Sequence, residues 1–88
     1  RFSVLSHSFE LYREAMNMRQ LTHFLSVLEH GSLVAAAQQL NISQPALSKS
    51  ISSLEAQFGH DLFVRLPRGV RPTAAARTLE RHARRILQ

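Results

Sequence analysis

At 88 residues the chain has room for one domain, and the absence of cysteine excludes disulfides and thiolate zinc sites, which suits a cytoplasmic protein. No apolar run approaches the ~20 residues that span a bilayer. The net charge of +5 comes from the last third, because residues 1–58 hold four basic and four acidic groups, whereas residues 59–88 hold seven arginines against two acids. Clustered arginine is typical of a polyanion-binding protein or of a solvated basic face, and composition leaves both open.

The first fifteen residues carry no clear periodicity. Residues 1–15 fit three interpretations: a frayed extension, an expression remnant, or an upstream continuation of the next helix through Phe9, Leu11 and Tyr12. We treat them as an N-terminal extension of unknown role.

Two amphipathic helices follow. The segment Met18–Glu29 carries apolar residues at helical spacing, namely Leu21, Phe24, Leu25 and Leu28. Gly31 is expected to end this helix, since glycine accepts the left-handed conformation common at helix C-termini. Ser32 then predicts the N-cap of a second helix running to Leu40. The buried side of that helix is expected to consist of Ala36, Ala37 and Leu40.

A third helix begins after a tight turn at Asn41-Ile42. Ser43 predicts its N-cap and Pro45 falls in its first turn, where the missing N–H costs nothing. Gly59 is expected to end it after Phe58. Its predicted core residues are Leu47, Ile51, Leu54 and Phe58. The opposite side of this helix is therefore polar and free to meet a ligand.

The last third predicts a hairpin and a final helix. Strands over residues 61–65 and 70–72 flank a Pro/Gly turn, and Thr73 predicts the N-cap of a helix still running at Gln88. A helix without a stop signal predicts continuation in a longer protein. Its predicted apolar side consists of Ala75, Leu79, Ala83, Ile86 and Leu87.

This order of elements predicts a mainly α fold, a winged helix-turn-helix with a three-helix core, a short β-hairpin wing and a long C-terminal linker helix. We divide the chain into residues 16–72, which form the winged helix-turn-helix, and residues 73–88, which form the last helix. A major groove about 12 Å wide admits one α-helix. At the start of the third helix, Gln44 can bond an adenine edge, Ser48 suits several bases, and Lys49 can reach a guanine or a phosphate.

The region Met18–Leu87 resembles the N-terminal DNA-binding domain of LysR-type transcriptional regulators. The matching pieces are Arg19-Gln20-Leu21, Phe24, Gly31-Ser32-Leu33, Ala36-Ala37, Leu40, the run Ser43-Gln44-Pro45-Ala46-Leu47-Ser48, Ile51, Leu54-Glu55, Gly59, Leu62-Phe63, Arg65, Gly69-Val70-Arg71, Thr73 and His82-Ala83-Arg84-Arg85-Ile86-Leu87. Each piece is weak by itself, but together, in order and at family spacing, they identify the family.

The resemblance implies a role for each matching position. The recognition helix, residues 43–58, would enter the major groove, and the wing, residues 62–72, would lie at the minor groove. The implied base-reading residues are Gln44, Pro45, Ser48 and Lys49. The implied backbone and minor-groove contacts are Ser32, Ser43, Ser52, Arg65, Arg68, Arg71 and Thr73. Residues 73–88 would be a linker and dimerisation helix, with implied dimer contacts at Leu79, Ala83, Ile86 and Leu87.

The resemblance also implies partners. Double-stranded DNA would be bound by a homodimer at an interrupted palindrome, and a small-molecule effector would act only through a sensing domain that lies outside this chain. No cofactor, metal or membrane contact is expected. The chain is expected in the cytoplasm, at the nucleoid.

Four positions depart from the family pattern. Leu33 stands where phenylalanine is common, which changes only the core. Lys49 replaces a common arginine, so an ammonium with a single point charge takes the place of a guanidinium that can form two parallel hydrogen bonds. Pro72 replaces an aliphatic residue, which predicts an early end to the second strand. Ala76 replaces a glycine, which predicts altered packing where the last helix begins.

Three alternatives compete with this interpretation: a winged helix that binds an acidic protein, an enzyme, and a DNA binder of another winged-helix family. The polar start of the third helix and the Arg68-Gly69 wing tip disfavour the first. No catalytic or phosphate-loop constellation supports the second, and the five histidines lack metal-ligand spacing. The Ser-Gln-Pro-Ala-Leu-Ser run and the arginine-bearing final helix disfavour the third.

Overall fold

The computed structural model describes residues 18–87, so the predicted extension over residues 1–15 lies outside the described part of the chain. Within it, the elements follow in the order α1 (residues 18–30), α2 (Leu33–Leu40), α3 (Gln44–Phe58), β1 (Phe63–Arg65), β2 (Val70–Pro72) and α4 (Ala74–Leu87). The mainly α winged helix-turn-helix predicted from the sequence is confirmed. No helix in the described range is long and apolar enough to cross a membrane.

The core lies where the helices and the base of the wing meet. Its members are Leu21, Phe24, Val27, Leu33, Ala36, Ala37, Leu47, Ile51, Leu54, Leu62, Ala76, Leu79 and Ala83. Val27 is completely buried although the predicted stripe of α1 omitted it, whereas Leu25 and Leu28 are only partly buried. The buried stripe of α1 is thus rotated slightly from the predicted one.

Hydroxyl caps define the starts of α2 and α3, as predicted. The Ser32 Oγ accepts the Ala35 N–H at 3.1 Å, and the Ser43 Oγ accepts the Ala46 N–H at 3.2 Å. Between the two helices Asn41 adopts a left-handed conformation with φ 61°, which asparagine tolerates better than most residues. This turn makes the connection short enough for α2 and α3 to pack closely.

Phe58 corrects one prediction. It is the last residue of α3, and its side chain is 37% exposed instead of joining the core. Gly59 follows with φ 80° and ends the helix, so the chain turns away before anything covers the ring. The Phe58 ring instead meets His60 edge-on, with centroids 6.0 Å apart. The apolar periodicity therefore extends one turn further than the core does.

The first strand of the hairpin is shorter than predicted, whereas the second spans Val70–Pro72 as predicted. β1 begins at Phe63, not at Asp61, because the preceding backbone is bound to α3 as described below. Pro72 is the last residue of β2 and pairs with Phe63. The adjoining Thr73 N–H donates to the Leu62 carbonyl, and antiparallel pairs alternate between bonded and non-bonded. Pro72 thus occupies a non-bonded position, where no N–H is required.

The inner face of α4 belongs to the core of the single chain. Leu79 is only 8% exposed and Ala83 is fully buried, which corrects the expectation that these two residues face a second subunit. Ala76, which stands where the family favours glycine, is also fully buried. The remaining members of the predicted dimer set are Ile86, 45% exposed, and Leu87, which is partly buried. Only the C-terminal end of α4 therefore offers apolar surface to a partner.

Candidate nucleic-acid interface

The outer face of α3 carries the predicted base-reading residues. Its core side consists of Leu47, Ile51 and Leu54. On the opposite side the exposed residues are Ser43, Gln44, Pro45, Lys49 and Ser52, with Ser48 half-buried among them. The helix thus presents one amide, three hydroxyls and one ammonium on a single surface, a set that can bond to several different base edges.

Four of these side chains make no intramolecular hydrogen bonds or salt bridges with the described residues. Within residues 18–87 the side chains of Gln44, Ser48, Lys49 and Ser52 take part in none of the side-chain hydrogen bonds or salt bridges. Polar groups that a fold needs are usually bonded to one another. A row of unbonded donors and acceptors on one helix face therefore has the composition of a binding surface.

The start of α3 adds an anion site to this surface. The Ser43 hydroxyl accepts the Ala46 N–H, which leaves its own proton free for donation. The first turn of the helix also exposes backbone N–H groups and the positive end of the helix dipole. Ser43 can accordingly cap the helix and bind a phosphate at the same time.

Three side-chain hydrogen bonds join α1 to the other two helices, one of them the exposed contact from Gln57 Nε2 to Gln20 Oε1 at 3.4 Å. The buried Ser26 Oγ donates to Gln39 Oε1 of α2 at 3.1 Å. His23 Nδ1 lies 2.8 Å from Ser50 Oγ of α3. Burial lowers the pKa of His23, and the positive charge of Arg19 lowers it further. The recognition helix is therefore fixed by polar contacts as well as by its apolar face.

Glu55 links α3 to the wing, a role that the sequence interpretation missed. Its Oε2 accepts the Leu62 N–H at 2.7 Å and the Phe63 N–H at 3.3 Å. The Phe63 ring packs on Phe24 of α1 with centroids 5.6 Å apart. An acidic residue on the helix just before a hairpin is the only sequence signal for this contact. One carboxylate thus sets where the wing leaves the recognition helix.

The far end of the wing is held by the turn between α1 and α2. The Val70 N–H donates to the Gly31 carbonyl at 3.0 Å. A Cβ at Gly69 would lie only 2.4 Å from that same carbonyl oxygen, and Gly69 has φ 76°. Only glycine fits both conditions. The hairpin is therefore fastened at its base by Glu55 and near its tip by Gly31.

The wing arginines are exposed and available. Arg65, Arg68 and Arg71 form no salt bridge with any acidic residue of the described range. Arg65 lines an open cleft of about 240 Å³ between the wing and α3, together with Ser52 and Glu55. This wing-side cleft joins the predicted backbone contacts Ser52 and Arg65 into one surface.

Ser32 and Thr73, both predicted to contact the DNA backbone, differ in whether they have a proton available for a phosphate. The half-buried Ser32 uses its oxygen to accept the Ala35 N–H, so its hydroxyl proton is still available. The Thr73 hydroxyl donates to the Asp61 carbonyl at 2.7 Å and its N–H donates to Leu62. Thr73 has no proton left for a phosphate, which corrects the expectation of such a contact. It caps α4 and closes the base of the hairpin instead.

The arginines of α4 are partly neutralised. Arg77 and Arg84 each bond to Glu80 at 3.1 Å. Hydrogen bonds from Arg77 and then from Arg84 lower the pKa of the Glu80 carboxyl. Arg85 lies 3.5 Å from His82 Nδ1. In the described part of the chain, no group of three or more potential metal-ligating side chains comes together.

Comparison with known proteins gives a consistent result. The family model for the bacterial regulatory helix-turn-helix protein, lysR family, matches residues 18–77. The chain is 45% identical over 73 residues to the nitrogen assimilation regulatory protein nac of Klebsiella aerogenes, which covers 83% of this chain and 24% of that protein. It is 49% identical over 71 residues to the SDS degradation transcriptional activation protein of a Pseudomonas species, covering 81% of this chain and 23% of that protein.

Among solved structures, the chain is similar to the DNA-binding domain of CbnR in a complex with DNA. The TM-score is 0.77 at 43% identity, and the match covers 80% of each chain. The chain spans about a quarter of the length of the curated relatives it matches.

Proposed function

This chain belongs to the LysR family of bacterial regulatory helix-turn-helix proteins, and we propose that it binds double-stranded DNA sequence-specifically as a dimer on an interrupted palindrome. The observation that carries the proposal is the outer face of α3, where Gln44, Ser48 and Lys49 have no bonding partner among the described residues. A similar domain solved with DNA supports DNA binding in general, since the CbnR DNA-binding domain in a DNA complex is 43% identical to this chain.

The recognition helix, residues 43–58, enters the major groove in this proposal. Gln44 bonds an adenine edge, Pro45 contacts a thymine methyl, and Ser48 and Lys49 read neighbouring positions. Ser43 at the start of the helix and Ser52 on its wing-facing side bind the phosphates that border the groove. The geometry supports this arrangement because all these residues share the face opposite the core.

The wing, residues 62–72, lies along the minor groove. Arg65 enters or flanks that groove, Arg68 and Arg71 bind phosphates, and Ser32 donates its free hydroxyl proton to another. The exposure of the three arginines supports these roles. Glu55 and Gly31 contribute by holding the hairpin at a fixed distance from α3.

The dimer forms through the C-terminal end of α4. Ile86 is a large apolar side chain on the surface, and Leu87 is incompletely covered. To bind an interrupted palindrome, the dimer has to present its two recognition helices to half-sites about 34–36 Å apart, one turn of DNA. A small-molecule effector acts through a sensing domain outside this chain, and the protein works in the cytoplasm.

Fluorescence anisotropy tests the proposal. The chain is titrated into an AT-flanked interrupted palindrome and into a scrambled duplex of equal length, each at several salt concentrations. We expect tighter binding to the palindrome and an affinity that falls steeply as salt rises. Equal, salt-sensitive binding to both duplexes would contradict sequence reading at that palindrome, and no binding to either at low salt would contradict DNA binding altogether.

A further inference from the structure

A second open cleft lies on the other side of α3 from the wing. It has a volume of about 510 Å³ and is walled by α1 and α3. Its polar and charged lining residues include Arg19, His23, Lys49, Ser50 and Ser53. No acidic residue of the described range lines it. We call it the α1-side cleft.

The two clefts border the base-reading face from opposite sides. An α-helix turns about 100° per residue, so residues four apart share a side. Gln44, Ser48 and Ser52 form one such row, and the wing-side cleft adjoins it through Ser52. Ala46, Lys49 and Ser53 form the row that adjoins the α1-side cleft. The outer face of α3 is thus framed by a positive residue on each side, Arg65 on one and Arg19 on the other.

A helix in the major groove lies between two phosphate backbones. The groove is about 12 Å wide, so each backbone passes one flank of the inserted helix. On the wing side Arg65 and Ser52 meet one strand. The other strand then has to pass the α1-side cleft, where the polar lining groups of the described residues include two cations, two hydroxyls and an imidazole, and no carboxylate.

We propose that the α1-side cleft binds a backbone phosphate of the DNA strand opposite the wing, with Arg19 as the main cation and His23 as a hydrogen-bond donor. This inference rests on the proposed function and adds a contact to it. Lys49 borders the cleft from α3 and can serve either the phosphate or a base edge. The proposal gives α1 a direct part in binding.

His23 is placed to act in this way. Its Nδ1 is bonded to Ser50 Oγ at 2.8 Å, and its Nε2 has no hydrogen-bond partner among the described residues. When Nδ1 accepts the Ser50 hydroxyl proton, Nε2 carries the proton that an anion would accept. The groups that face this ring are Arg19 on α1, Lys49 and Ser50 on α3. No carboxylate of the described residues lies among them, so an added phosphate would introduce a negative charge beside the ring.

The test compares Arg19→Ala with a control that removes the same charge elsewhere. Arg81 is exposed on α4 and forms no salt bridge within the described residues, so Arg81→Ala is the matched variant. Anisotropy with a scrambled duplex gives the dependence of affinity on salt. Each phosphate contact contributes about 0.9 to the slope of log K against log salt. When salt is raised from ~50 to ~200 mM, the affinity of Arg19→Ala should fall by a factor that is ~3.5 times smaller than the fall for wild type. The affinity of Arg81→Ala should fall by the same factor as wild type.

The outcomes separate this inference from the proposed function. If wild type binds with a steep salt dependence and Arg19→Ala keeps the full slope, the cleft does not hold a phosphate, while DNA binding stands. If wild type fails to bind DNA at any salt, both proposals fall.

NMR titration of His23 provides a second reading that does not depend on affinity. A phosphate beside the ring raises its pKa, so the pKa of His23 is expected to rise when the chain is saturated with duplex. His23→Gln identifies the signal by removing it. A His23 pKa that is unchanged by DNA would overturn the proposed hydrogen bond.

Discussion

The helices α3 and α4 are nearly equal in length, 15 and 14 residues, yet their outer faces are chemically opposite. The outer face of α3 carries hydroxyls, an amide and one lysine. The outer face of α4 carries four arginines, two of them paired with Glu80. Each helix contributes three buried residues to the same core.

The difference shows that the most basic helix need not be the one that reads DNA. Arginine on α4 carries charge, but Glu80 neutralises part of it, and the other exposed hydrogen-bonding side chains of the helix are Thr78 and His82. The face of α3 holds little charge but has donors and acceptors of several kinds. In our account α3 selects the sequence, the wing and the α1-side cleft supply most of the attraction to phosphate, and α4 joins two copies.

The largest expected effect is the difference in stability between a substitution on the buried side of α4 and one on its exposed side. Leu79→Asp places a carboxylate in the core and should destabilise the chain by about 3–5 kcal/mol, measured by urea unfolding. Ile86→Asp, at a 45% exposed position, should change the stability of the monomer by only ~0.5 kcal/mol but weaken the dimer in sedimentation. A stable, folded Leu79→Asp protein would contradict the placement of α4 against the core.

The next effect concerns the link between α3 and the wing. Glu55→Ala leaves the Leu62 and Phe63 N–H groups without their acceptor, which should cost about 1–3 kcal/mol. Hydrogen exchange should accelerate at these two amides specifically. Glu55→Gln keeps an acceptor oxygen and should lose less. If the two variants exchange and unfold like wild type, the carboxylate does not hold the wing.

The wing should contribute to the affinity for DNA of any sequence but not to the preference for one sequence over another. Arg71→Ala is expected to reduce the salt slope by about 0.9 and to weaken binding by the same factor on a preferred and on a scrambled duplex. Arg77→Ala, on α4, is the control for a lost arginine. A loss confined to the preferred duplex would show that Arg71 reads sequence, which would blur the distinction between wing and recognition helix.

The smallest effect is the pH dependence of the Glu80 ion pairs. Because the folded-state pKa of Glu80 lies below its ordinary value of 4.5, its stabilisation is present above that value and is lost as pH falls through the folded pKa. The melting temperatures of wild type and Glu80→Gln should therefore converge as the pH is lowered well below 4.5. The pairs are exposed, so high salt should also reduce the difference. A difference that is constant with pH would exclude a role for these pairs.

Local chemistry made much of the fold predictable. Ser32, Ser43 and Thr73 have short side chains that cap helices, and Gly59 accepts the backbone conformation that ends one. Each of these signals acts within a few residues of its own position, so the sequence alone indicated the starts of α2, α3 and α4. The polar face of α3 was predictable for the same reason, since its positions alternate with a clear apolar stripe.

The unpredicted features all depend on contacts between distant segments. Glu55 bonds to the backbone seven residues later, and His23 meets Ser50 across 27 positions. Leu79 and Ala83 lie on the apolar side of α4 as predicted, but periodicity does not show whether that side meets the same chain or a second one. Tertiary packing decided that question.

The most direct test of the central claim is the effect of Gln44→Ala on specificity. A preferred duplex is first selected by the wild-type chain from a random-sequence pool, and anisotropy is then measured on it and on a scrambled duplex at one salt concentration. We predict a loss of about 1–3 kcal/mol on the preferred duplex and almost none on the scrambled one. Equal losses on both duplexes would contradict base reading by the outer face of α3.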